Sequence, residues 1–457
     1  MASADTKFLR MPIRRPPGPK GRLLIGSLLE LGTDWLGFLS KCAREYGDVV
    51  FFRFAHVPVV LLTHPEHIEQ VLVANASYFS KSRGYRALER IAGKGLLTSE
   101  GEEWRRQRKL IQPAFRHDCL VPYAAAMVEG ADRVLEAWHD GDVRDIHGDM
   151  MRTTLDIVAR TLLGCDASNE AKTVADALEV VAEKFLEQAS LAFLLPASLP
   201  LPSRLSLQRA VRRLDGIIYE IIRRRRASRR STEDLLDTLL RAKDQDARHM
   251  SDAQLRDELK TLFLAGHETT AIALSWTFYL LAQHPEVDAQ LAEELEAVLG
   301  NRPPGFDDVP RLRYTEMVIK ESMRLYPPAW GMSRQANQPL QIAGYELAAG
   351  TTVFLVPWIT HRDPRFFPES ERFDPSRWRD DPIRTGKIPR FAYFPFGGGP
   401  RVCVGAAFAM LEATLLLARI AQRFRFAPGQ PTEIRATATL RPRQGIRVVL
   451  HERRHTA

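Results

Sequence analysis

Cys403 lies in the decapeptide Phe396-Gly397-Gly398-Gly399-Pro400-Arg401-Val402-Cys403-Val404-Gly405. Consecutive glycines followed by a proline exclude regular structure, so the chain must turn sharply there. The segment Ala406 to Phe424 is apolar at helical spacing and carries neither Gly nor Pro, which predicts a helix starting just after the cysteine. Backbone N–H groups and the positive end of that helix would favour a thiolate, the form of cysteine that binds a metal. The plainer reading is a buried cysteine in a turn. Phosphate binding is a third use of such glycines, but no Gly-Lys-Ser/Thr, no Gly-x-Gly-x-x-Gly and no βαβ pattern surrounds them. Glu268 and Thr269, in Ala265-Gly266-His267-Glu268-Thr269-Thr270, put an acid beside a hydroxyl, the minimum for passing protons. Read alone, the Ala-Gly pair is a packing notch. Trp104 and Arg108 share a helical face at i, i+4, and Glu321 and Arg324 form an acid–base pair at i, i+3.

Long helices must position these groups. Ser251-Asp252-Ala253-Gln254 reads as a capping box, and no proline interrupts the chain from there to Gln283, where His284-Pro285 ends the helix. Such a helix spans on the order of 48 Å and belongs at the centre of a domain. Between Leu110 and Leu299 the periodicity is almost wholly helical. Strand patterns are few: Val49 to Phe54, Val59 to Leu62, Leu340 to Ile342, Thr352 to Leu355 and Ile446 to Leu450. The expected fold is mainly α with small β-sheets.

The chain has 457 residues, of which 45% are hydrophobic and 26% charged, and no linker or repeat divides it. We expect a flexible segment over residues 1–15 and one large domain over 16–457. Cys42, Cys119, Cys165 and Cys403 are far apart and contain no C-x-x-C pair, which argues against a disulfide scaffold or a zinc ribbon. Met1 to Arg15 holds no apolar run of membrane-spanning or signal-peptide length, so a soluble, cytoplasmic, monomeric protein is expected. A net charge of +8 raises nucleic acid as a partner, but much of the excess is the run Arg223 to Arg226 with Arg229 and Arg230 at a helix end, and no nucleic-acid motif accompanies it. An acidic protein partner is the better expectation.

Phe396-x-x-Gly399-x-Arg401-x-Cys403-x-Gly405 resembles the haem-ligand loop of the cytochrome P-450 haem-thiolate monooxygenases at every fixed position. The hexapeptide at 265–270 matches that family's oxygen-activation motif. Glu321-Ser322-Met323-Arg324 and Phe373-Asp374-Pro375-Ser376-Arg377-Trp378 match two further signatures, and Trp104-x-x-x-Arg108 a fifth. The resemblance covers roughly residues 14 to 450, with its motifs in family order. It implies a P-450 fold with haem b between the long central helix and the cysteine loop. Cys403 would be the axial ligand, the thiolate that pushes electron density onto iron. Phe396 would shield its sulfur, and Gly399 and Gly405 would admit the haem to the backbone. Trp104, Arg108, Arg334 and Arg401 would bind the propionates. Ala265 and Gly266 would leave room for O2, Thr269 would donate a hydrogen bond to bound dioxygen, and Glu268 would relay protons through water. His267 would be structural. Glu321, Arg324 and Arg377 would form a buried triad under the haem-ligand loop.

By the same resemblance, the chain inserts one oxygen atom of O2 into a C–H bond of a lipophilic small molecule such as a terpenoid or fatty acyl compound. The pocket would be lined by Ile91, Phe263, Ala265, Gly266, Thr269, Ala329, Trp330 and Ala438. No flavin, nicotinamide or iron–sulfur fingerprint is present, so electrons would come from a ferredoxin and its reductase, or a flavodoxin-type donor. These would dock near Arg105, Arg106 and Lys109. Arg14-Arg15-Pro16-Pro17-Gly18-Pro19 looks like the proline-rich hinge of membrane-bound members, without their anchor. The proline-broken, apolar stretch Leu191 to Pro202 is expected to form a lid over the entrance. A haem-binding gas sensor and a haem-thiolate isomerase or peroxygenase are the alternatives, the latter disfavoured by the Glu268-Thr269 pair.

Overall fold

The computed structural model describes residues 15–163, 202–227 and 234–453. The expected lid lies outside them except for Pro202, which opens the helix Pro202–Ala227. The central helix runs Asp252–Gln283. Ser251 Oγ caps it by accepting from Gln254 N at 3.2 Å, but Gln254 Oε1 accepts from Arg106 at 2.9 Å, so the box is used on one side only. Most of this helix is buried on every face, as a helix at the centre of a domain must be.

Helices Ile146–Leu163, Arg313–Leu325 and Ala406–Arg423 pack around it. Trp276 of the central helix stacks on Tyr326, with ring centroids 4.3 Å apart, and donates through Nε1 to Leu440 O at 2.9 Å. A second apolar cluster gathers around its first half, from Leu255 to Phe263.

Five strands form a mixed sheet in the order Val49–Phe54, Val57–Leu62, Thr352–Leu355, Met332–Ala336, Phe79–Lys81. Only the pair Val57–Leu62 with Thr352–Leu355 is parallel. A three-stranded sheet joins Val143–Asp145, Arg447–Glu452 and Phe424–Pro428. Ile434–Ala436 pairs with Leu440–Pro442, and Leu340–Ile342 with Tyr345–Leu347. Sequence periodicity finds Leu340–Ile342 but misses Met332–Ala336 and the other three-residue strands, because such segments are too short or too polar to show an alternating stripe. Among the described residues, no helix is long and apolar enough to cross a membrane.

The arginine run is not a uniformly solvated face. Arg223 and Arg224 pair with Glu220 on the surface, whereas Arg225 is buried between Asp234 and Asp237 at 2.6 and 2.9 Å, and Arg226 reaches Asp252. Arg225 and Arg226 thereby tie the end of one helix to the elements that follow.

Candidate active site

The cysteine loop is held by its own backbone. Gly397 N donates to Phe394 O and Cys403 N to Phe396 O, both at 2.9 Å, and the helix Ala406–Arg423 starts after Gly405. Gly399 has φ +64°, and a Cβ there would lie 1.8 Å from the carbonyl oxygen of Leu72. This glycine therefore serves the approach of a neighbouring turn, a different reason from the one the resemblance implied. Gly405 is the reverse case: a Cβ would meet nothing closer than the Phe115 ring at 3.8 Å, so the protein itself does not demand glycine there.

Cys403 keeps accessible surface although protein closely surrounds it, as a side chain on the wall of an interior hollow does. Burial raises its thiol pKa, and the Gly405 N–H and the Arg108 guanidinium oppose that without overcoming it. The helix start thus acts in the direction the sequence predicts, but does not by itself make the thiolate. Coordination to a metal would, since a ligating thiol is deprotonated outright.

Cations gather beside this loop. Arg108 donates to Val402 O at 2.9 Å and Arg334 to Ser333 O at 2.9 Å; among the described residues, neither lies within 4 Å of a carboxylate. Arg401 lies over the Trp104 ring at 4.3 Å and pairs with Glu100. Arg106 is tied to Asp244 and Gln254, so it is not free for a partner. Arg105 and Lys109 are exposed, Arg105 pairing only with Glu102 nearby on its own helix.

Accessible residues interrupt the buried central helix near its middle: Ala265 is exposed, and Leu264, Gly266 and Thr269 are half-buried. The Thr269 hydroxyl donates to Ala265 O at 2.7 Å, so its remaining capacity in this rotamer is as an acceptor. Gly266 points elsewhere. A Cβ there would only come into ordinary contact with Val158, at 3.4 Å, on the side of the helix Ile146–Leu163, and Thr154 Oγ1 donates to His267 O across the same contact. His267 is buried with Nδ1 2.8 Å from Phe263 O, and burial keeps its ring neutral. Glu268 is buried too, accepting from Arg441 Nε at 2.7 Å and from the Thr439 hydroxyl. Burial pushes the Glu268 pKa up, but the Arg441 contact prevails and holds it below the usual carboxylate range.

The expected pocket residues divide. Ala329 is half-buried and Ala438 exposed, so both keep open surface, as Ala265 does. Phe263 and Ile91 are each 1% exposed and packed in apolar clusters, Ile91 against Leu207. Trp330 is buried beside Trp35 at 6.1 Å, and its indole N–H is bonded to Thr437 O at 2.8 Å. All three are thus packed in apolar clusters.

Glu321 and Arg324 are fully buried. Arg324 donates to both Glu321 oxygens at 2.8 and 2.9 Å, and to the carbonyls of His361, Ser370 and Arg372. Arg377 Nε, Trp378 Nε1 and Asp374 N also donate to Glu321, at 3.3, 2.9 and 3.0 Å. His361, which the sequence reading missed, carries the connection onward: its Nε2 accepts from Phe394 N at 2.9 Å, at the start of the cysteine loop. Arg441 and Thr439 were missed as well. Nothing in the sequence marks them, since their role comes from the C-terminal strands lying against the central helix.

The donor set fits haem b: an accessible sulfur on a loop left open at Gly405, nearby arginines without carboxylates, and small accessible side chains on the central helix. The description of the cytochrome P450 family matches residues 16–450. Cyclooctatin synthase of Streptomyces melanosporofaciens is 38% identical over 92% of this chain and 92% of its own. Pentalenene oxygenase of Streptomyces avermitilis is 35% identical over 94% and 95%. Cyclooctat-9-en-7-ol 5-monooxygenase of Streptomyces melanosporofaciens is 35% identical over 89% and 88%. The chain belongs to the cytochrome P450 family, and it is a haem-dependent monooxygenase. Haem b, bound through a cysteine thiolate in this family, supplies the activation of O2 with electrons from separate redox partners.

Proposed function

We propose that this monooxygenase hydroxylates a terpenoid, with Cys403 as the axial thiolate and Thr269 as the residue that steers protons to the oxygen site. The substrate reading rests on Ala265, Ala329 and Ala438, small apolar residues that keep accessible surface, while the Glu268 carboxylate is turned into its pair with Arg441. Such a surface selects a bulky hydrocarbon by shape and offers a carboxylate no partner. Three relatives whose names specify oxidation or synthesis of terpenoids support the same class.

Trp104, Arg108, Arg334 and Arg401 bind the propionates in this reading, and the Glu321 triad with His361 fixes the loop. Electrons arrive from a ferredoxin in the cytoplasm. The docking point is the hollow of about 420 Å³ lined by Val73, Arg390, Phe394, Gly398, Pro400 and Val402, which abuts the cysteine loop and lies within reach of exposed basic residues.

The test is a panel of terpene hydrocarbons and fatty acids titrated into the ferric protein, followed by turnover with ferredoxin, its reductase and NADPH. Terpenes should convert the iron to high spin and yield hydroxylated product. A response to fatty acids alone would overturn the substrate class. Cys403→His should abolish the strongly red-shifted Soret band of the reduced carbon monoxide complex, and retention of that band would exclude Cys403 as the ligand.

A further inference from the structure

Between Arg15 and Leu29 the chain carries Arg15, Lys20 and Arg22 and no acidic residue. In its middle a tight turn closes between Arg22 and Gly26, with Arg22 N donating to Gly26 O at 2.8 Å and Gly26 N to Arg22 O at 2.9 Å. Leu23 and Leu24 form its tip. They are 92% and 87% exposed, the two most exposed large hydrophobic side chains among the described residues. The turn is nevertheless no frayed end: Ser27 N donates to Arg53 O at 2.8 Å, Ala55 N donates to Ile25 O at 3.0 Å, and a Cβ on Gly26 would lie 2.2 Å from Arg53 O. Leu24 is held at φ +73°, a conformation that costs energy in a residue with a side chain. The fold thus holds two leucines away from its own core on a fixed base.

The same contacts lead on to further basic surface. His56, next to Ala55, has Nε2 3.2 Å from the guanidinium of Arg83, at the start of the helix Arg83–Ala92. At the far end of that helix Ile91 packs on Leu207, in the first turns of Pro202–Ala227. From Pro202 to Leu214 this helix also lacks acidic residues, and it exposes Arg209, Arg212 and Arg213. None of these three forms an ion pair among the described residues, and Arg212 bonds only its own helix, at Gln208 O.

Two leucines offer far less area than the roughly 800 Å² per partner of a stable protein interface. A bilayer needs no such area, since apolar side chains enter the acyl boundary while cations beside them meet anionic headgroups. Among the described residues no helix is long and apolar enough to cross a membrane, so this contact would be peripheral.

We propose that the turn between Arg22 and Gly26 docks on an anionic bilayer surface, with Leu23 and Leu24 inserted and Lys20, Arg22 and the arginines of Pro202–Ala227 against the headgroups. In the experiment the haem-loaded protein is sedimented with phosphatidylcholine vesicles that either contain or lack phosphatidylglycerol. Wild type should pellet with the anionic vesicles, lose that binding as salt is raised, and stay in solution with the neutral ones. Leu23→Ser combined with Leu24→Ser should bind the anionic vesicles at least about tenfold more weakly. Lys20→Gln combined with Arg22→Gln should weaken binding by roughly fivefold per charge. Both variants should keep the wild-type unfolding midpoint and reduced carbon monoxide spectrum, because the replaced side chains are exposed. If the double serine variant does not fold, Leu24→Gly, which suits the left-handed backbone, enters the same comparison. Absence of binding by wild type, equal binding to neutral vesicles, or unchanged binding by the leucine variant would overturn the proposal. So would a leucine variant altered only in self-association or in turnover with ferredoxin, since the turn would then serve a protein partner.

Discussion

A buried carboxylate beside a guanidinium is held both by charge and by a directed hydrogen bond, and Glu268 stands in that relation to Arg441. Arg441→Leu should destabilise the protein by about 3 kcal/mol, because it leaves a buried carboxylate unpaired. The double variant Glu268→Gln with Arg441→Leu should recover more than half of that loss, measured by thermal unfolding of the haem-loaded protein. Equal losses in the two would mean that Arg441 acts through packing alone. Thr269 differs, since among the described residues its hydroxyl bonds only Ala265 O. Thr269→Ala should leave haem content and stability unchanged while product per NADPH falls about tenfold and hydrogen peroxide rises. Unaltered coupling would remove Thr269 from the proton path.

Among the elements, the cysteine loop depends most on backbone that cannot carry a side chain. Gly399 combines a positive φ with a carbonyl that a Cβ would overlap, and that carbonyl belongs to backbone. Gly399→Ala should cost about 3 kcal/mol or more and reduce haem incorporation, read as the haem-to-protein absorbance ratio and the unfolding midpoint. Gly405→Ala meets no such obstacle within the protein. Its unfolding midpoint without haem should match wild type, so any defect should appear only as weaker haem retention. A similar loss of midpoint in both apoproteins would contradict this division. The Glu321 triad works at the same scale: through Arg324 and His361 it joins the helix Arg313–Leu325 to the chain entering the loop.

At the scale of the molecule, two buried carboxyls set a pH dependence. Glu412 of the cysteine helix and Glu258 of the central helix are each pushed up to about 8 by burial, in Glu412 partly offset by the Thr270 hydroxyl. A carboxyl with a raised folded pKa binds its proton more tightly in the native state. Its contribution is complete below the unfolded value, near 4.5, and is lost as pH rises through about 8. Lys81 works oppositely. Its pKa, lowered to about 7 mainly by burial, makes stability rise with pH above that value. Comparison of variants isolates one group. Between pH 6 and 8, wild type should lose up to about 1.4 kcal/mol per pH unit relative to Glu412→Gln. Parallel stability curves for the two proteins would show that Glu412 does not titrate with folding.

The chemistry-bearing loop, the long helix and the order of the motifs were legible in the sequence, because each rests on local rules: glycine and proline at a turn, a serine cap, an uninterrupted apolar period. Cys403 needed only its neighbours to stand out. Which glycine serves which purpose was not legible. Gly399 admits the carbonyl of Leu72, a residue distant in sequence, whereas a Cβ at Gly266 or Gly405 would make no more than ordinary contact with the described residues. Charges behaved likewise: an arginine run reads as solvated until Asp234 and Asp237 are seen to enclose Arg225, and Glu268 reads as a free acid until Arg441 arrives from the C-terminal strands. The burial of Trp330 and Phe263 in apolar clusters was not legible either. The reaction class was legible through the motifs' resemblance to a family, because each motif is a short, local run of residues. Tertiary structure alone decided which side chains remain open and which charges are paired, because burial and electrostatic contact depend on segments hundreds of residues apart.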